Sequence, residues 1–496
     1  MNNNQSAYRQ IVKATSIFGG VQVFSIIISI VRSKFIAVLL GPLGMGIAGL
    51  LTSTTALIAS ITNFGLATSA VRNIAEANGT GDSGRIAKVV IVFKKLVWAT
   101  GLIGSLSTLI LAPWLSEMTF GNRDYTLAFV FLSVTLLLGQ ISSGQLVLLQ
   151  GMRQIHLLAK ASLLGSLIGL IVSVPIYYLY GIDGIVPAII ISSCISMLLS
   201  FYFSSKIKIQ KMAVSPKDVL SEGRGMLVMG FLIGLTGFID QIIAYATNIF
   251  ISNYGNVKDV GMYNAGFSLV NTYVGMIFAA MLTDYYPRLS SVAKNNQLAK
   301  EMMNQQAEIA ILILAPIIMC FFVFINLVIL ILYSREFLVA DEMIYWAAIG
   351  IFIKAVNWSI GILLLAKGES KLYFVTYVLA AFIVLGTNIS GYYLFGLKGL
   401  GIAFLTSYVL LTIIGYWIVK VKYSFSFSLE FLKIFAIQFL LGIICFVSIQ
   451  VFKSPYTYLI GIPLILISTI FSYKELDKRI GILSVIQRVK SRFNKE

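Results

Sequence analysis

The residues of this chain that could do chemistry are few, and most are cations in an apolar setting. Arg32, Lys34, Asp240 and Lys354 all lie inside long hydrophobic runs. An ionisable group in hydrocarbon costs ~2.5–3.5 kcal/mol on insertion scales, so each needs a partner or a task. The excess is positive, with three cations to one clear anion. A cationic cavity of low dielectric attracts an anion, and a phosphate or pyrophosphate would suit it. Arg32 and Lys34 could instead snorkel to the outer surface. Asp240 and Lys354 are too deep for that and could pair, with each other or with a neighbour. Trp358 follows Lys354 by one helical turn and could stack on a sugar ring or pack on a neighbour. Amides and hydroxyls such as Gln140, Ser142, Ser143, Gln145, Asn248, Asn271 and Asn388 recur in the apolar runs. They suit a hydroxyl-rich headgroup, although interhelical hydrogen bonds account for any single one of them.

Other chemistry is missing from the sequence. The sole histidine, His156, falls between apolar runs. Cys194, Cys320 and Cys445 fall within them, in no disulfide or zinc spacing. The chain has neither a phosphate-cradling glycine loop nor a nucleophile elbow. No catalytic residue, metal or cofactor is expected, and no nucleotide fuels the chain directly. Asp240 is the only deep carboxylate that could carry a coupling ion, H+ or Na+.

The elements that must hold these residues are membrane helices. Of 496 residues, 58% are hydrophobic and 11% charged, against ~25% charged in soluble domains. Mean hydropathy is +0.90. A soluble enzyme, a secreted protein and a single-span receptor are excluded. The expected class is an all-α polytopic membrane protein, since only internally paired backbone survives in hydrocarbon. Runs of ~20 apolar residues give about fourteen spans. They lie near 14–40, 45–66, 93–113, 126–148, 158–180, 184–204, 225–251, 260–283, 307–332, 343–366, 372–394, 399–419, 431–451 and 457–472. With the N-terminus inside, 29 of the 37 Lys and Arg fall in inside segments and five in outside loops. That bias predicts cytoplasmic N- and C-termini. It also explains the net charge of +17 through topology and anionic lipid, with no need for nucleic acid. The longest outside loop is too short for the external domain of a polymerase or ligase.

A short pattern recurs where spans open. Gly44-Met45, Gly184-Ile185, Gly261-Met262 and Gly399-Leu400 are each followed, at i+4 from the glycine, by an alanine: Ala48, Ala188, Ala265 and Ala403. The glycine is expected to supply a positive-φ backbone after a tight turn. The offsets between corresponding copies are 217 and 215 residues. Arg72 and Arg288, at the inside ends of spans two and eight, are separated by 216. The chain therefore divides into six-helix lobes at 1–204 and 225–421, in the same orientation. A linker joins them at 205–224. An extra helix pair at 422–472 and a basic cytoplasmic tail at 473–496 complete it. Parallel repeats of this kind are a transporter architecture.

Residues 33–76 resemble the opening of bacterial polysaccharide flippases, the polysaccharide-transporter branch of the multidrug/oligosaccharidyl-lipid/polysaccharide exporter superfamily. Lys34, Ala37, Gly41-Pro42, Gly44, Gly46, Ala48, Gly65 and Val71 carry the resemblance. Val260-Gly261-Met262-Tyr263-Asn264-Ala265 and Pro287-Arg288-Leu289-Ser290 are similar to the second half of the same family. The resemblance implies movement of undecaprenyl-pyrophosphate-linked oligosaccharide from the inner to the outer leaflet of the bacterial cytoplasmic membrane. It implies rocking of two lobes around a cationic cavity, with Arg32 matching a helix-1 arginine of lipid II flippases. Arg32, Lys34 and Lys354 would hold pyrophosphate, Asn271 and Trp358 would serve the sugars, and Asp240 a coupling ion. A polysaccharide polymerase and a chain-length regulator are the implied partners. The other readings are a cation-coupled drug exporter and a membrane-embedded polymerase or ligase.

Overall fold

The computed structural model describes residues 3–210, 212–452 and 455–480. The tail expected at 473–496 lies, from 481 on, outside the described residues. No β-strand occurs among the described residues. Thirteen α-helices follow one another: α1 (Asn3–Thr62), α2 (Leu66–Thr80), α3 (Ser83–Phe120), α4 (Thr126–Gly151), α5 (Ile155–Tyr180), α6 (Ile185–Ser204), α7 (Pro216–Phe250), α8 (Val257–Val292), α9 (Asn296–Leu332), α10 (Asp341–Ala366), α11 (Ser370–Tyr423), α12 (Leu429–Val451) and α13 (Tyr456–Ile480).

Eleven stretches of the described residues are long and apolar enough to cross a membrane. The fourteen spans of the sequence reading divide three of these. Val23–Thr62, Ile155–Ser204 and Ser370–Tyr423 run 40, 50 and 54 residues. At 1.5 Å per residue a 54-residue helix would reach ~80 Å, far beyond the ~30 Å of hydrocarbon. Each stretch is broken at a glycine of positive φ: Gly41 (65°), Gly181 (55°) and Gly396 (59°). A side chain would clash in that backbone region, and Gly escapes the clash.

The recurring glycines do something other than what their position suggested. Gly44, Gly184 and Gly399 each stand three residues after the positive-φ glycine, and none has positive φ itself. Two of them let the returning arm touch the departing one. A Cβ at Gly184 would stand 2.7 Å from the carbonyl oxygen of Ile176, and one at Gly399 would collide with that of Gly391. Both contacts join residues eight apart. In a continuous helix those would be separated by ~12 Å, so the chain has reversed there. The motif thus marks close packing, and the turn precedes it by three residues.

The chain forms two compact units, Met1–Gly261 with Leu332–Ser334, and Met262–Ile331 with Arg335–Glu496. The sequence boundaries 1–204 and 225–421 follow the repeat, whereas these units follow packing. Hence α7 lies in the first unit. Gly65, Gly230 and Gly234 explain it: a Cβ on Gly65 would collide with the Gly230 carbonyl oxygen, so α7 meets the α1–α2 turn backbone to backbone. Small residues permit this approach, which membrane helices use where lipid supplies no hydrophobic drive. Thr119 joins Thr54 of α1 at 3.2 Å and Tyr245 of α7 at 3.4 Å. Arg85 and Lys88 of α3 clasp Glu222 (2.7 and 3.3 Å), and Lys88 also reaches Asp218 at 3.0 Å. That clasp fastens the start of α7 beside α3.

In the second unit α12 and α13 are held by buried polar groups. Fully buried Gln438 donates to Ser472 Oγ at 2.8 Å and accepts from Ser468 Oγ at 2.7 Å. Arg479 reaches Glu308 of α9 at 2.8 Å, and the Glu308 side chain is 7% exposed. Asn304, one turn earlier, accepts from the backbone N–H of Ser428 at 2.8 Å. Phe427, Phe431, Phe435 and Phe439 form a column of rings that ends on Phe352 of α10.

Candidate functional site

In the first unit Arg32 lies nine residues before the Gly41 break and Thr52 eleven after it. Both line one cavity, of about 510 Å³. On a straight helix they would be ~30 Å apart, so the fold at Gly41 is what brings them together. The remaining wall comes from α4, α5 and α6, and its polar atoms are mostly hydroxyls: Ser142, Ser143, Ser162, Ser166, Ser193 and Ser196 among them. No carboxylate lines it. Gly169 makes room for the arginine, since a Cβ there would stand 3.2 Å from Arg32 Nη2. Beside it, Ser173 donates to the Gly169 carbonyl at 2.6 Å and bonds Ser192 at 2.9 Å.

The guanidinium is not neutralised. Arg32 Nε is buried and makes no hydrogen bond, and no ion pair to Arg32 occurs among the described residues. A buried donor without an acceptor forfeits ~1–3 kcal/mol, more when charged. The cavity thus leaves a buried cationic donor without an acceptor from the chain, beside hydroxyls and no carboxylate.

The other expected residues divide. Lys34 and Asp240 are exposed, and neither lines the Arg32 cavity. Lys354 lies in the second unit, on α10. Its ammonium donates to Asn271 Oδ1 at 3.1 Å. It also stands over the rings of Tyr408, Phe404 and Phe278, 5.4 to 6.0 Å from their centroids. No carboxylate of its own unit pairs with it among the described residues. Trp358 packs on Phe278 and Tyr285 at 5.2 and 5.5 Å, so Phe278 is common to the cation and the indole. Asn271, Lys354 and Trp358 thus form one cluster. Gln140 and Gln145 turn out to be helix fasteners, the first donating to Thr100 at 2.9 Å and the second accepting from Ser204 at 2.6 Å. The serines of α5 and α6 escaped the sequence reading. Their signal is a four-residue repeat, Ser162–Ser166 and Ser192–Ser196–Ser200, which sets small hydroxyls on one helical face.

A family model described as a polysaccharide biosynthesis protein matches residues 35–342, more than half of the chain. The chain belongs to the polysaccharide biosynthesis protein family. The matched segment begins three residues after Arg32 and takes in the Gly41 break, the second arm of α1 and the whole hydroxyl-rich wall. Among curated relatives, the lipid III flippases of Escherichia coli (strain K12) and Shigella flexneri are each 22% identical over 355 residues. The alignment covers 68% of this chain and 81% of each relative. Among solved structures, the lipid II flippase MurJ in an inward closed conformation matches with a TM-score of 0.72 at 14% identity, over 92% of this chain and 99% of that one. An inward-facing multidrug resistance MATE family transporter of the MOP superfamily matches at 0.66 and 14%, over 81% and 94%. The family member described here thus shares the fold of these transporters and is a multi-pass membrane protein.

Proposed function

We propose that the chain is a flippase. It carries undecaprenyl-pyrophosphate-linked oligosaccharide repeat units from the inner to the outer leaflet of the bacterial cytoplasmic membrane, by alternating access, for surface polysaccharide assembly. One observation carries this reading: a guanidinium within the membrane with a bare Nε, in a hydroxyl-walled cavity that no carboxylate lines. A pyrophosphate supplies the missing acceptors and the missing charge. The family and the relatives named as lipid III flippases support a lipid-linked cargo.

In this reading Arg32 takes the pyrophosphate, and Lys354, held by Asn271, provides the second cation. Trp358 serves the sugar. Lys34 meets phosphate at the surface and Asp240 exchanges a coupling ion, H+ or Na+. The product passes to a polysaccharide polymerase and its chain-length regulator. Both termini are cytoplasmic. The chain performs no covalent chemistry. Export of cationic drugs fits less well, because a drug cation would meet Arg32 with no carboxylate beside it.

The test uses vesicles containing the full chain, with a fluorescent undecaprenyl-pyrophosphate oligosaccharide in the inner leaflet and a proton or sodium gradient imposed. Wild type is expected to deliver the lipid to the outer leaflet, and Arg32→Ala and Lys354→Ala to lose delivery. Absence of delivery by wild type under either gradient would overturn the flippase. Full delivery by both variants would return the two cations to structural roles.

A further inference from the structure

A second cavity of about 280 Å³ lies within the second unit, between α10 and the two arms of α11. Its lining combines Trp358, Tyr373 and Tyr377 with Asn357 and Thr376. Three aromatic rings beside an amide and a hydroxyl suit a pyranose: its C–H faces are apolar and weakly positive, as the negative faces of aromatic rings require, and its rim is hydroxyl. The size is near the lower end of the ~300–1,000 Å³ typical of small-molecule sites. No cation lines it, so it is not built for phosphate.

Two observations indicate that the space is kept open for a ligand. The Asn357 amide is half-buried and has no hydrogen-bond partner among the described residues. Gly415 forms the opposite wall: a Cβ there would lie 3.5 Å from Ile360 and 3.7 Å from Asn357 Nδ2. A longer side chain would enter the cavity and cover the amide. The repeat adds a third observation. Ser142, Ser162 and Ser200 line the Arg32 cavity. The residues 215 positions on are Asn357, Tyr377 and Gly415, which line this one. The same three-helix junction is hollow in both units. Its walls are serines beside an arginine in one, and aromatic rings beside an amide in the other.

We infer that the cavity bounded by Asn357, Trp358, Tyr377 and Gly415 is a glycan subsite that takes one sugar ring of the transported lipid. The inference rests on the flippase reading and deepens it, since it separates recognition of the sugar from recognition of the pyrophosphate. Asn357 bonds ring hydroxyls, and the aromatic rings cover a C–H face.

The test measures binding of two probes to the full chain in nanodiscs: undecaprenyl pyrophosphate, and the same lipid carrying N-acetylglucosamine. Wild type is expected to bind the sugar-bearing lipid at least tenfold more tightly. Gly415→Leu, which fills the cavity, and Asn357→Leu, which removes the amide without touching the α11 backbone, should each bring that ratio close to one. A wild-type ratio of one overturns the proposal, as does a ratio that neither variant changes. Equal weakening of both lipids by the variants also overturns it, and assigns the cavity to the prenyl chain. Failure of wild type to bind either lipid would instead remove the flippase reading.

Discussion

Replacing Arg32 by glutamine should make the protein more stable and less able to hold its cargo. The opposite signs come from one fact. Arg32 Nε is buried without an acceptor, and the cavity around it offers hydroxyls and no carboxylate. In the empty protein the charge is therefore a cost, on the order of 1–3 kcal/mol for an unsatisfied buried donor. Glutamine keeps much of the length and removes the charge, so most of that cost disappears. A thermal melt in detergent should move upward by about 1–2 °C, a small step because the chain is long. With a pyrophosphate in place the arithmetic reverses. Hydrogen bonds to charged groups contribute about 1.5–3 kcal/mol, and each 1.4 kcal/mol is tenfold in affinity. The Kd for a polyprenyl pyrophosphate should weaken roughly 10- to 100-fold in Arg32→Gln. Arg32→Lys keeps the charge and loses the planar fork, and should fall between the two. Melting curves together with binding of the fluorescent lipid give both signs. A variant that melts lower and binds unchanged would refute the reasoning, because Arg32 would then be a structural residue with a partner.

Three other outcomes follow from the packing. Arg479→Met should cost about 3–5 kcal/mol, since it leaves Glu308 buried without its cation; a melt that drops sharply, recovered in part by adding Glu308→Gln, is the expected result. Gly230→Val should abolish folded material on size exclusion, because Gly65 lies against the Gly230 carbonyl and the Cβ has no space. The third concerns pH. Lys422 donates to Glu369 at 2.6 Å, and that contact holds the Glu369 carboxyl below its ordinary value of 4.5. A depressed folded pKa means the contribution is present above the ordinary value and lost as pH falls through the lower, folded one. The melt should therefore fall more steeply with acidification below about pH 4.5 in wild type than in Glu369→Gln. The group is exposed, so the difference should be small.

Much of the architecture was written in local sequence, because a membrane demands apolar length and internally paired backbone. The same rule made Arg32 and Lys354 conspicuous, and both became centres of polar clusters. What could not be read is long-range. The serines of α5 and α6 are ordinary small residues until the hairpin at Gly181 sets them opposite α4. Glu308 stands near the end of an apolar run where nothing local points to its partner, and Arg479 arrives from 171 positions away. The recurring glycines were visible, but their work depends on which carbonyl approaches them, and only the folded hairpins supply Ile176 and Gly391. Asp240 and Lys34 differ from Arg32 in where the fold puts them. Both are charges in apolar runs, and both proved to be exposed and away from the Arg32 cavity.

The uncompensated guanidinium also makes this protein an electrical object. A fixed cation carried within the low-dielectric part of a membrane is a gating charge, worth ~2.3 kcal/mol per 100 mV for the full width of the field. When the cavity is empty, an inside-negative potential draws that charge toward the cytoplasmic face. In the proposed function a bound pyrophosphate would offset the charges of Arg32 and Lys354 together, so the loaded form would feel the same potential far less. One side chain left without a counter-ion would thus make the empty form sensitive to the resting field and the loaded form nearly indifferent to it.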